Sequence, residues 1–264
     1  PVHEQRMGHE YVGTVIEVGE AVTTVKPGDF VVGSFCISCG ECEICRAGYP
    51  SRCVTAAAQG DTYVSTRAGG TQAEYARVAL ADGTLVKTPA MPTEEQIPSL
   101  LAASDVLGTG WFAADEAGAA PGKTIVVVGD GAVGLGAIIG AKQLGASRII
   151  AMSRHADRQA LARQFGATDI VEERGEEGIA RIKEMTGGLG ADGVVEAVGN
   201  EVSFDQALGC VRPGGHLSFV GVPHGVSLDM GRMFNAEVHM FGGPAAVRKY
   251  LPTMIDRIYR GEIN

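Results

Sequence analysis

Along the first hundred residues, hydrophobic and polar positions alternate in short runs, and beyond them the period lengthens. "YVGTVIEVG", "GDFVVGSF", "GGTQAEYARV" and "GTLVKTP" are apolar or alternating segments bounded by Gly, Pro and Asp. That is the pattern of short strands joined by turns, and it predicts a β-rich domain or barrel. From residue 94 the chain changes character: "TEEQIPSLLAASDVLGTGWFAADEAG" reads as helix. The runs "KTIVVVGDG", "SRIIAMS", "DGVVEAVG" and "GHLSFVGV" then alternate with helical stretches. Strands alternating with helices predict parallel βαβ units, and their near-continuous Val and Ile content predicts a sheet covered on both faces. The reading therefore divides the chain into a β-rich domain over 1–100 and a doubly wound α/β domain over 101–264.

With 264 residues, 45% of them hydrophobic, the chain has ample material for two cores. A formal charge of -9 argues against a nucleic-acid or anionic-membrane surface and leaves small molecules as the expected partners. The longest apolar run, "GAVGLGAIIGA", is far shorter than the roughly 20 residues a bilayer demands. No basic-then-apolar leader opens the sequence, and the six cysteines are too clustered for a secreted disulfide framework. A reducing cytoplasm is the expected compartment.

Gly129, Gly131 and Gly134 stand in G-x-G-x-x-G spacing, directly after an expected strand and opening an expected helix that begins Ala132, Val133. In that context the glycines serve a tight turn, a close approach of the backbone to a pyrophosphate, and close helix–strand packing. The next strand, "RIIAM", should be followed by Asp or Glu if a carboxylate grips the ribose 2′-hydroxyl. Ser153 stands there, followed by Arg154. With no carboxylate to repel a 2′-phosphate and a guanidinium able to pair with it, NADP is expected over NAD.

Five cysteines fall within residues 34–53. Cys39, Cys42, Cys45 and Cys53 form C-x2-C-x2-C-x7-C, a set suited to a closed structural zinc site in a lobe spanning 36–54. An iron–sulfur cluster of ferredoxin type would need the fourth cysteine after three residues and before a proline; here seven intervene and Val54 follows. Spacing alone leaves a second set open, with Cys36 in place of Cys53.

Three elements together, "GHEYVGTVIEVGEAVTTVKPGDFVV", "CGECEICRAGYPSRC" and the nucleotide-binding glycines, resemble the zinc-dependent medium-chain alcohol dehydrogenase family. "SDVLGTGWFAA", "GADGVVEAVG" and "GGHLSFVGVP" extend the resemblance over nearly the whole chain. It implies a GroES-like β-barrel domain joined to a Rossmann doubly wound parallel sheet, two zinc ions, and hydride transfer between an alcohol or its carbonyl and NAD(P). It selects Cys53 over Cys36 for the structural zinc. It also implies His9, Glu10 and Asp105 as catalytic-zinc ligands, with aspartate at the last position pointing to a bacterial branch. Thr109 is expected to meet the nicotinamide, with Val198, Val220, Gly221 and Val222 lining its ribose and carboxamide. A homodimer or homotetramer is expected on the same ground.

The family's first catalytic ligand is a cysteine well ahead of the Gly-His-Glu, whereas seven residues precede Gly8. A fragment lacking both ends is therefore expected, with a weakly held catalytic ion and an intact structural one. Two other readings compete: a dinucleotide-binding module without catalysis, and a zinc-free quinone or enone reductase, which the Gly-His-Glu and the four-cysteine lobe disfavour.

Overall fold

The computed structural model describes residues 7–64 and 70–264, which form two compact units. The first comprises residues up to Gly108 together with Ala246–Asn264, the second Thr109–Ala245. This boundary departs from the expected 100/101 division at both ends. The terminal helix α11 (Val247–Tyr259) packs on α4 (Ile97–Ala103) and on β3 (Leu85–Lys87). Its apolar side, Tyr250, Leu251, Met254, Ile255 and Ile258, is buried. An amphipathic helix goes where its stripe is covered, so the end of the chain belongs with its beginning.

In the first unit, β1 (Val12–Thr14), β2 (Phe30–Gly33) and β3 form a three-stranded antiparallel sheet in that order. This is the part of the expected barrel that the described residues carry. No strand forms over 70–78, where the alternation of "GGTQAEYARV" predicts one, and residue 69 lies outside the described residues. Beside the sheet, between β1 and the 71–79 segment, is a cavity of about 2010 Å³ lined by Val12, Val18, Val22, Tyr75 and Val78 among others. Alternation creates an apolar face, but a strand also needs a neighbour to pair with.

The second unit holds a six-stranded, all-parallel sheet in the order β6-β5-β4-β7-β8-β9. Its strands are β4 (Thr124–Val128), β5 (Arg148–Met152), β6 (Asp169–Val171), β7 (Ala191–Glu196), β8 (Val211–Phe219) and β9 (His239–Gly242). Ile125 and Val127 of β4 face a core shared with α5 (Val106–Glu116), α6 (Ala132–Gln143) and α7 (Ala156–Phe165). Val126 and Val128 face the opposite core, with α8 (Gly175–Met185) and α9 (Glu201–Cys210). The period-2 alternation of the backbone thus buries both faces, as expected from the continuous Val/Ile runs. Two further strands, β6 and β9, are short, of three and four residues, and lie at the two edges of the sheet. Among the described residues, no helix is long and apolar enough to cross a membrane.

Candidate functional site

The expected single helix from residue 94 is broken at Ser104–Asp105, between α4 and α5. The break presents Asp105 to the segment around His9: Nε2 of His9 lies 2.8 Å from Oδ2 of Asp105. Several contacts hold this approach. The Tyr11 N–H donates to Oγ of Ser104 (3.2 Å), and that hydroxyl donates to Leu101 O (2.7 Å). Thr71 donates its N–H to Gly8 O (3.0 Å) and its hydroxyl to Glu10 O (3.1 Å). The His9 ring also lies against Phe35, centroids 5.7 Å apart, and Phe35 stacks on Tyr63 with an interplanar angle of 8°. Glu10 is exposed and, among the described residues, forms no three-ligand cluster with His9 and Asp105.

The sulfurs of Cys39, Cys42, Cys45 and Cys53 all lie within 4.8 Å of one another. The Cys39–Cys53 and Cys42–Cys53 separations are 3.6 and 3.9 Å. Four sulfurs about 2.3 Å from one zinc stand about 3.8 Å apart along a tetrahedron's edges, so these spacings fit the ion. Backbone N–H groups point at the sulfurs: Glu41 and Cys42 donate to Cys39, and Cys39 and Ala56 to Cys53. The Cys45 N–H beside Cys42 draws that thiol down to about 6 against the opposing effect of desolvation. Burial pushes the Cys45 thiol up. So close a group favours some thiolate but cannot hold four without a cation. Cys36 lies outside the set; it is buried, and bridges to Tyr63 through the backbone.

In the second unit, Gly129 turns the chain with φ of +115°, a conformation that favours glycine. A Cβ at Gly134 would lie 2.0 Å from Gly129 O, so α6 can seat against β4 only without a side chain there. A Cβ at Gly131 would meet nothing within 4 Å: the space before the first turn of α6, at Ala132 and Val133, is open on that side. Such a cradle fits a pyrophosphate at a helix N-terminus. Thr109 is buried in α5. Its neighbour Gly110 meets α6 backbone to backbone, a Cβ there falling 2.3 Å from Ala137 N. This contact sets how near α5 comes to α6. Trp111 is buried, packed over Gly140.

Val198, Val220, Gly221 and Val222 converge where the ends of β7 and β8 approach; a Cβ on Gly221 would lie 2.3 Å from Gly199 N. Glu196, wholly buried, organises this corner. One oxygen accepts from Val198 N–H (2.9 Å), Gly199 N–H (2.8 Å) and the Ser203 hydroxyl (2.6 Å). Sequence reasoning passed over it because a carboxylate in an apolar strand carries no spacing signal.

Ser153 is buried at the end of β5, its hydroxyl donating to Oδ2 of Asp130 (2.7 Å). Arg158 donates to Oδ1 of the same carboxylate (2.8 Å). Burial pushes the Asp130 carboxyl up, but the Ser153 and Arg158 bonds outweigh it and hold the group below its ordinary range. Arg154 is exposed.

The zinc-binding dehydrogenase family profile matches residues 132–260, and that of the alcohol dehydrogenase GroES-like domain matches residues 1–90. The chain is 40% identical over 225 residues to a medium chain reductase/dehydrogenase from an Acremonium species, covering 83% of this chain and 75% of that one. It is 36% identical over 264 residues to zinc-type alcohol dehydrogenase B of Aspergillus flavus, covering 97% of this chain. The match takes in 60% of that relative, so the chain spans less than two thirds of its length. An alcohol dehydrogenase from a Thermus species superposes with a TM-score of 0.84 at 33% identity, covering 97% of this chain and 73% of that one.

Proposed function

Because the chain belongs to the zinc-dependent medium-chain alcohol dehydrogenase family, we propose that the whole protein transfers a hydride between a small alcohol, or its aldehyde or ketone, and NAD(P). The observation that carries this reading is the His9–Asp105 pair, two side chains of metal-ligating type 2.8 Å apart despite a sequence separation of 96, in a chain that also carries a glycine-lined cradle at the start of a helix. His9 and Asp105, with Glu10 as neighbour, would hold a catalytic zinc. His9 and Asp105 alone are two of the three protein donors that a catalytic zinc uses, so the ion would need Glu10 or a further ligand as the third. When bound, zinc supplies Lewis acidity toward the substrate oxygen, and the nicotinamide supplies or accepts the hydride.

The remaining roles belong to the chain itself. Cys39, Cys42, Cys45 and Cys53 would hold a second, structural zinc that stands in for a core in their small lobe. Gly129, Gly131, Ala132, Val133 and Gly134 would receive the pyrophosphate, while Thr109, Val198, Val220, Gly221 and Val222 would orient the nicotinamide end. Residues 1–108 with 246–264 would form the catalytic unit and 109–245 the nucleotide-binding one. We read the cofactor as NADP in preference to NAD, on Ser153 and Arg154, and the protein as a homodimer or homotetramer.

The test is an assay of the full-length protein for cofactor reduction across primary alcohols, secondary alcohols and polyols, and for cofactor oxidation with aldehydes and ketones, using NAD and NADP in parallel. Turnover of at least one alcohol–carbonyl pair, abolished by chelation and restored by zinc, is expected. Cofactor binding without turnover of any substrate would leave a dinucleotide-binding module instead.

A further inference from the structure

Strands β6, β5 and β4 are neighbours in the sheet, so the residues just past their carboxyl ends share one rim. Those residues are Asp130 after β4, Ser153 and Arg154 after β5, and Glu172, Glu173 and Arg174 after β6, the last at the start of α8. Both Asp130 oxygens are engaged, one by Ser153 and one by Arg158. Glu172 accepts from the Gln159 amide (2.9 Å), and Glu173 accepts from the Glu172 N–H (3.1 Å). By contrast, no hydrogen bond or ion pair among the described residues engages the guanidinium of Arg154 or of Arg174. Arg174 is half-buried, and desolvation, followed by the like charge of Arg154, holds it below the ordinary arginine range.

A partly desolvated guanidinium that feels a like charge is unfavourable in isolation, and Asp130, whose charge opposes that effect on Arg174, has both its oxygens taken by Ser153 and Arg158. Arg158 is engaged by Asp130, and Glu172 by Gln159, so the guanidiniums of this rim left to meet a phosphate monoester of about -1.5 to -2 are Arg154 and Arg174. Guanidiniums are suited to planar, forked recognition of such a group. We propose that Arg174, from the rim beyond β6, joins Arg154 in clasping the 2′-phosphate of NADP(H) and is a determinant of cofactor choice. The inference rests on the NADP reading given above. It adds a residue twenty positions beyond Arg154, brought to the same rim by strand order.

The experiment measures dissociation constants of NADPH and NADH by nucleotide-fluorescence titration, in the full-length protein and its Arg174→Met variant, with thermal melting as a folding control. Losing a charge-assisted phosphate contact should weaken NADPH about tenfold or more and leave NADH unchanged. Unchanged NADPH binding by the variant of a wild type that prefers NADPH would overturn the role of Arg174 and leave the NADP reading standing. Equal weakening of both nucleotides would likewise overturn it, in favour of a structural part for Arg174. A wild type that binds NADH as tightly as NADPH would remove the NADP reading itself, and this inference with it.

Discussion

His9 Nε2 and Asp105 Oδ2 stand 2.8 Å apart, one carried by an irregular segment ahead of the first strand and the other by a break between two helices. Neither residue is conspicuous alone. If they share a metal, Asp105→Asn should lower kcat/KM of the full-length enzyme by about a hundredfold or more, with loss of bound zinc and little change in melting temperature. Undiminished turnover by this variant, at full zinc content, would remove Asp105 from the site.

The sulfur cluster should answer differently. Cys53→Ser is expected to reduce zinc content by one ion per chain and to lower the melting temperature, because the lobe lacks an apolar core of its own. Cys36→Ser should leave zinc content unchanged, its sulfur lying outside the cluster. Emission spectroscopy of both variants checks the assignment; the reverse outcome would exchange the roles of Cys36 and Cys53.

The contact between the start of α6 and β4 admits no side chain at Gly134. Backbone oxygen cannot rotate aside as a flexible side chain can, so Gly134→Ala should cost about 3 kcal/mol or more. Gly131→Ala should fold normally, since a methyl there meets nothing, yet weaken nucleotide binding by occupying the cradle. Chemical denaturation and cofactor titration separate the two effects.

A pH effect follows from Asp169. The Arg148 guanidinium bonds both its oxygens at 2.9 Å and, with the Thr168 hydroxyl, outweighs burial to hold the carboxyl at about 2. The folded state therefore prefers the ionised form. That contribution is fully present above the unfolded carboxylate pKa of about 3.9 and is lost as pH falls from there through about 2. Asp169→Asn should flatten the decline of melting temperature over that window. An identical slope in both proteins would show that other carboxylates govern acid unfolding.

Much of the second unit was legible because its signals are local. Hydrophobic runs of strand length, the glycine spacing and the turn residues each lie within one segment, and so the βαβ alternation and the cradle at Gly129–Gly134 emerged together. The first unit was less legible. "GGTQAEYARV" alternates as a strand should, but a strand requires a neighbouring strand, and among the described residues no strand pairs with 70–78, whose Thr71 and Gln72 N–H groups donate to the irregular 7–8 segment.

The sequence by itself determined the βαβ alternation, the Gly129, Gly131 and Gly134 spacing, a sulfur-rich lobe and, through family resemblance, the candidates His9, Glu10 and Asp105. Only the tertiary structure decided what meets across long separations. It brought Cys53, the choice that the resemblance implies and spacing leaves open, to the sulfur cluster and returned α11 to the first unit. It turned Asp130 toward Ser153 and set Arg174 on the same rim as Arg154. Spacing and hydrophobic period are properties of adjacent residues, whereas strand order and chain return are settled by which apolar faces can cover one another.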